Sequence, residues 1–155
     1  MTTQEALIVV DQQNGFIPAI ETGELGVEGG LLSEKINTLM RQTKTAGLII
    51  ATRDWHPEGH MSFASNYKKN PFNIIGWDDV VNGKDHPLQL NPKAGFTLKD
   101  LETEFAVGNQ VLWPDHCITG TPSAEYHHEL DTALIDHHII KYDATQEMYS
   151  GFQGK

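Results

Sequence analysis

Two short, uninterrupted apolar runs, ALIVV at residues 6–10 and LIIAT at 48–52, flank a helical pattern and limit the fold more than any other feature. Continuous runs of this length, rich in β-branched residues, predict strands buried on both faces of a parallel sheet. Between them Ser33 precedes EKINTLMRQTKTA, where Ile36, Leu39, Met40 and Thr43 recur at helical spacing. Ser33 is placed to cap this helix and Gly47 to follow its end. A strand, helix and strand of these lengths form one right-handed βαβ unit. LIDHHIIK, from residue 134, predicts a third strand that ends at Lys141. The expected class is α/β, a parallel sheet covered by helices.

The 155 residues suffice for one domain, and no repeat, low-complexity tract or linker divides them. Residues 66–110 carry four turn signals (NP, NG, HP, NP) and little periodicity beyond a short amphipathic helix around FTLKDLETEF, so they read as an insertion of unknown role. Twenty-one acidic residues against eleven basic ones give a formal charge of −10 with no basic stripe, which argues against a nucleic-acid partner. No run approaches the roughly 18 apolar residues that span a bilayer. MTTQEALIVVDQQ has neither the basic start nor the cleavage site of a secretory signal. A single cysteine fits a reducing compartment, and a cytoplasmic chain without a membrane partner is expected.

Asp11 stands at the carboxyl end of the first strand, where open parallel sheets place their ligand crevice, although a turn or capping aspartate suits the same position. Lys141, at the end of the third strand, becomes informative if it meets Asp11, because a lysine beside a carboxylate orients it or stabilises developing negative charge. In the extended D-x-H of Asp54 and His56 both side chains project to one side. A carboxylate and an imidazole so placed can share a divalent ion at about 2.0–2.2 Å, and His60 and His116 supply further candidates. Zinc, iron or manganese fits such a donor set, while ordinary polar loop histidines are the competing reading. His137 and His138 are neighbours in a predicted strand and point to opposite faces. With His86, His127 and His128 they read as surface or structural histidines. Cys117, next to His116, is open to two readings, nucleophile or packing residue. If His116 ligates a metal, the side chain of its neighbour diverges from it, which favours packing.

DQQNGF (11–16), TRDWHP with HMSFA (52–57, 60–64), WPDHCITGTPSAEYH (113–127) and Lys141 followed by YSGF (149–152) resemble, in order, the blocks of nicotinamidases, members of the isochorismatase-like cysteine hydrolases. The resemblance implies a single domain over 1–155 with a three-layer α/β/α fold around a parallel sheet, incomplete at the C-terminus. It implies hydrolysis of nicotinamide, with pyrazinamide as a second substrate, in NAD salvage. Position by position, Asp11 matches the catalytic acid/base and Lys141 the catalytic lysine. Asp54, His56 and His116 match the ligands of one divalent metal, zinc first and iron or manganese as alternatives, with His60 a fourth ligand or a group behind them. Phe16, Trp113 and Tyr149 match the aromatic walls of the substrate pocket. A homo-oligomer is compatible with this reading.

The nucleophile of that family lies in a block resembling G-x-A-T-D-x-C-V beyond the lysine, and the 155 residues contain no such block. The resemblance therefore implies a chain truncated before its cysteine. Missing strands and a missing helix also predict an exposed sheet edge and an uncovered apolar face. A non-catalytic protein that binds metal or nicotinamide and acts through a partner is the alternative.

Overall fold

The computed structural model describes residues 5–18, 24–76, 78–79, 90–105, 108–143 and 152. Three strands form a parallel sheet in the order β1 (Glu5–Val9), β2 (Gly47–Asp54), β5 (His137–Lys141), with helix α1 (Ser33–Thr43) crossing from β1 to β2. This is the expected α/β arrangement. Glu5 pairs with Gly47 and Val9 with Ala51 on one side of β2, and Ile50 pairs with His137 and Asp54 with Lys141 on the other. The register brings the ends of all three strands to one edge and sets Asp54 directly against Lys141.

Alternation along the strands decides what is buried. Leu7, Val9, Ile49 and Ala51 point to the α1 side, where Val9, Ile49 and Ala51 close a core with Met40 and Leu130. The other face is not covered as the continuous apolar runs predict: Ile8 is 45% and Val10 64% exposed. Among the described residues no helix lies on it, and β1 and β5 are free edges. Among the described residues this part of the face is thus uncovered, as the resemblance leads one to expect. Leu39, counted on the apolar side of the helix, is also exposed, and Met40 and Ile36 make the core contact instead.

Ser33 does not cap α1. The capping position is Leu32, with no side-chain hydrogen bond, and Ser33 is the first helical residue. Its hydroxyl lies 3.0 Å from His127 Nδ1 and accepts from Gln12 Nε2 at 3.4 Å. A long-range polar contact has displaced the local one.

After β2 the chain leaves the ladder and builds a second core with little regular structure. A 3₁₀ turn (Ala64–Tyr67), a two-residue antiparallel pair β3 (Ile74–Ile75) and β4 (Gln110–Val111), and helix α2 (Leu98–Phe105) surround it. Met61, Ala64, Tyr67, Ile75, Phe96, Leu101 and Leu112 are its buried side chains. Much of the described part of 66–110 therefore packs here, including the helix expected around FTLKDLETEF. A reciprocal cap starts α2: Asp100 accepts from the Thr97 N–H and hydroxyl at 2.7 Å, and the Asp100 N–H donates back to Thr97 Oγ1 at 3.3 Å. No helix among the described residues is long and apolar enough to cross a membrane.

Candidate active site

The site lies at the carboxyl edge of the sheet. Past the last paired residue of β1, Asp11 adopts a left-handed backbone (φ 49°) and donates its N–H to the Thr52 carbonyl at 3.3 Å. The bend turns the Asp11 carboxylate across the strand ends, where Thr52 Oγ1 donates to Oδ1 at 2.7 Å and Lys141 Nζ to Oδ2 at 2.6 Å. Lys141 Nζ also lies 2.7 Å from Asp54 Oδ1. One ammonium, 4% exposed, thus bridges two carboxylates from neighbouring strands.

On its other oxygen Asp54 faces two imidazoles. Oδ2 is 3.5 Å from His56 Nε2 and 3.8 Å from His116 Nε2. Asp54, His56 and His116 are all buried and each offers a ligand atom within 4.8 Å of the others. The remaining ring nitrogen of His116 lies 2.7 Å from the Pro114 carbonyl, which can only accept, so Nδ1 carries the proton and Nε2 presents its lone pair. His56 Nδ1 is buried without a hydrogen-bond partner. This oxygen, nitrogen, nitrogen donor set fits a divalent ion. His60 is not one of the three. Its ring is tilted against that of His56 at 4.3 Å, and its Nδ1 accepts from the Ser62 N–H at 3.3 Å.

The electrostatics follow from burial and the bridging lysine. For Asp11, burial and the charge of Asp54 raise the pKa above the ordinary carboxylate value, outweighing Lys141 and Thr52. Burial pushes Asp54 the same way, but hydrogen bonding and charge from His56 and Lys141 prevail and hold it well below. Burial would discharge Lys141, yet Asp54 and Asp11 raise its pKa. His116 is lowered to about 4, chiefly by burial and then by His56, so it is neutral at pH 7 as a ligand must be. Two neighbouring carboxylates are thus displaced in opposite directions, an arrangement that can set a proton-exchanging group beside a fixed anion.

Phe16 is half-buried and stands edge-on to His116 at 5.4 Å. Trp113, also half-buried, exchanges backbone hydrogen bonds with Ser62 and Ala64 and meets Phe72 edge-on at 6.0 Å. Tyr149 lies outside the described residues. Cys117 is fully buried with a left-handed backbone (φ 47°). Its thiol points at the Ser123 carbonyl, 3.7 Å away, and burial, then nearby carboxylates, push its pKa well up. Gly15 makes room for it: a Cβ there would stand 2.8 Å from the sulfur.

Sequence reasoning missed three residues of the site. Thr52 orients Asp11. Phe63, fully buried, lies between the rings of His56, His60 and His116 at 5.4, 5.6 and 5.5 Å. Gln13, fully buried, hydrogen-bonds the Asp54 backbone in both directions. Thr52 and Phe63 stand in quoted motif blocks, but nothing in an isolated Thr or Phe separates support of a site from ordinary packing.

No family model matches the chain. It is 38% identical over 150 residues to the nicotinamidase of Acinetobacter baylyi, covering 95% of this chain and 54% of that protein. Its structure matches a yeast nicotinamidase bound to the inhibitor nicotinaldehyde (30% identity, TM-score 0.68, 94% of this chain and 61% of the other). It also matches the pyrazinamidase of Pyrococcus horikoshii in complex with zinc (32% identity, TM-score 0.57, 97% and 59%). Over nearly its whole length the chain is thus similar to nicotinamidases in both sequence and fold. It spans a little over half the length of the Acinetobacter baylyi relative. In this chain the charged strand ends and the buried Asp, His, His group lie together in one cluster.

Proposed function

We propose that this chain carries the acid/base and metal-binding part of a nicotinamidase, which hydrolyses nicotinamide to nicotinate and ammonia in NAD salvage. The observation that carries the reading is Lys141, hydrogen-bonded to Asp11 at 2.6 Å and paired with Asp54 at 2.7 Å, because it joins a raised acid/base to the carboxylate of a metal site. Asp54, His56 and His116 would hold the metal, zinc being the one bound by the Pyrococcus relative, with His60 packed behind His56. A zinc ion so held would supply an electrophilic contact for the substrate ring. Phe16 and Trp113 wall the ring, the role that the resemblance also implies for Tyr149, and pyrazinamide, a related heteroaromatic amide, suits the same pocket.

Asp11 takes the proton of a cysteine thiol and the thiolate attacks the amide carbon. As the C–N bond breaks, Asp11 returns the proton to the departing ammonia, and water then cleaves the thioester to release nicotinate. Lys141 holds the Asp11 carboxylate in place and offsets negative charge beside it. Cys117 does not supply the thiol, since it is buried, turned to Ser123 and disfavoured as a thiolate.

Equilibrium dialysis with radiolabelled nicotinamide, with and without Zn²⁺, tests the reading. Zinc-dependent nicotinamide binding without ammonia release is expected. Absence of binding would overturn it, and ammonia release abolished by Cys117→Ser would overturn the assignment of the nucleophile.

A further inference from the structure

Asp54 and His116 come from segments far apart in sequence, so something must set their separation before an ion arrives. β2 carries Asp54, and the stretch that carries His116 is irregular. The two segments meet through backbone contacts at His56, whose N–H donates to the Cys117 carbonyl at 3.0 Å and whose carbonyl accepts from Thr119 at 2.8 Å. Behind the ligands a second tie runs through one side chain. Gln13 Nε2 donates to the Asp54 carbonyl and to the Ala124 carbonyl, both at 2.7 Å, and its Oε1 accepts from the Asp54 N–H at 2.8 Å. Both amide hydrogens are used, and the residue is 0% exposed.

The Ala124 end leads to His116. Ala124 closes the 3₁₀ turn Pro122–Ala124, whose Ser123 hydroxyl accepts from the Cys117 N–H at 2.7 Å. Cys117 is the residue after His116. On the strand side the same amide grips Asp54 by its own peptide groups, so it fixes the position from which the carboxylate projects. Gln12, one residue earlier, is nearly as buried, but its amide turns to the Gly30 carbonyl at 3.0 Å and Ser33, on the α1 side.

We infer that Gln13 is the positioning residue of the metal centre, a clamp between the Asp54 backbone and the turn that supports His116. The inference rests on the metal-site reading above. An apolar side chain at position 13 would leave the Asp54 N–H and two carbonyls buried without partners, and the two ligand segments would relax apart. Supporting residues of this kind act on metal affinity and on coordination geometry.

Co²⁺ serves as the probe, because its visible absorption reports both occupancy and geometry. Co²⁺ titrations of wild type, Gln13→Met and Gln12→Met are compared, each with a urea melt of the metal-free chain. Gln13→Met is expected to bind Co²⁺ about 10- to 100-fold more weakly, with an altered visible band. Gln12→Met, which loses the same kind of buried amide on the α1 side, is expected to lose stability but keep the wild-type affinity and band. Equal affinity and band in Gln13→Met and wild type would overturn the inference while sparing the metal site. An equal loss in Gln12→Met would overturn it as well. Wild type that binds no Co²⁺ would overturn the metal reading itself, and the clamp with it. Should Gln13→Met fail to fold, the side-chain amide resonance of Gln13 in the wild-type protein decides: it is expected to shift on Zn²⁺ saturation while that of Gln12 stays, and an unmoved Gln13 would overturn the inference.

Discussion

The two cores of this molecule are built by different means. Under α1, Val9, Ile49 and Ala51 are held by the hydrogen-bond ladder of a parallel sheet, which repeats every two residues and leaves a repeating signature in the sequence. Among the described residues the core around Leu101, Tyr67 and Leu112 has one short helix and a two-residue strand pair, and it is stitched by single bonds, such as Tyr67 Oη donating to the Met61 carbonyl and Asn66 Nδ2 to the His60 carbonyl. Comparable burial is reached with little periodicity. The site sits where the two meet: Asp11, Asp54 and Lys141 end the strands of the first, whereas His60 and Phe63 begin the second.

The largest effect should come from breaking that junction. Phe63→Ala removes a fully buried ring from among three histidines and is expected to cost about 3–5 kcal/mol, read from urea denaturation, with weakened Zn²⁺ binding. If the protein keeps its Zn²⁺ affinity, the junction does not organise the ligands. Leu101→Ala tests whether the second core is a separate unit. It should cost about 2–4 kcal/mol, and hydrogen exchange should speed up in α2 and β3–β4 before it does in β1 and β2. Uniform loss of protection would show that the two cores unfold as one.

Acid should act next. His116 is lowered to about 4, by burial and then His56, and His127, under the first core, is lowered from its ordinary 6.5 by burial and then His128. Folding therefore favours both neutral rings. The stability they contribute to the metal-free chain is complete above about 6.5 and falls as the pH drops from there toward the folded values. Urea midpoints measured across that interval should decline, and His127→Gln should flatten the upper part of the decline. The smallest effect belongs to Lys68, exposed and left-handed (φ 54°) at the end of the turn Ala64–Tyr67. Lys68→Gly should raise stability by about 0.5–1 kcal/mol, detectable as a small rise in Tm.

This contrast also explains what could be read from the residues alone. The βαβ unit was legible because ladders and helices impose periods, and Asp11 and Lys141 because strand ends are where a parallel sheet collects chemistry. Asp54 and His56 were legible as a local pair. His116 was only a candidate beside them until family resemblance matched it to a ligand position, since it lies sixty positions beyond His56. Covering of the second sheet face was expected wrongly from ALIVV, because a continuous apolar run does not say which element lies on each side of it. Gln13 was out of reach for a plainer reason. Gln12 and Gln13 are the same residue type side by side, and only the fold shows that one faces α1 and the other the ligands.

The bare side of the sheet has a colloidal consequence. Ile8 and Val10 lie there beside an open strand edge, in a chain whose formal charge is −10. In dilute buffer copies repel one another over about 30 Å, but at 1 M salt that reach shrinks to about 3 Å while salting-out ions strengthen apolar contact. Ionic strength therefore sets how long separate copies of this chain remain apart.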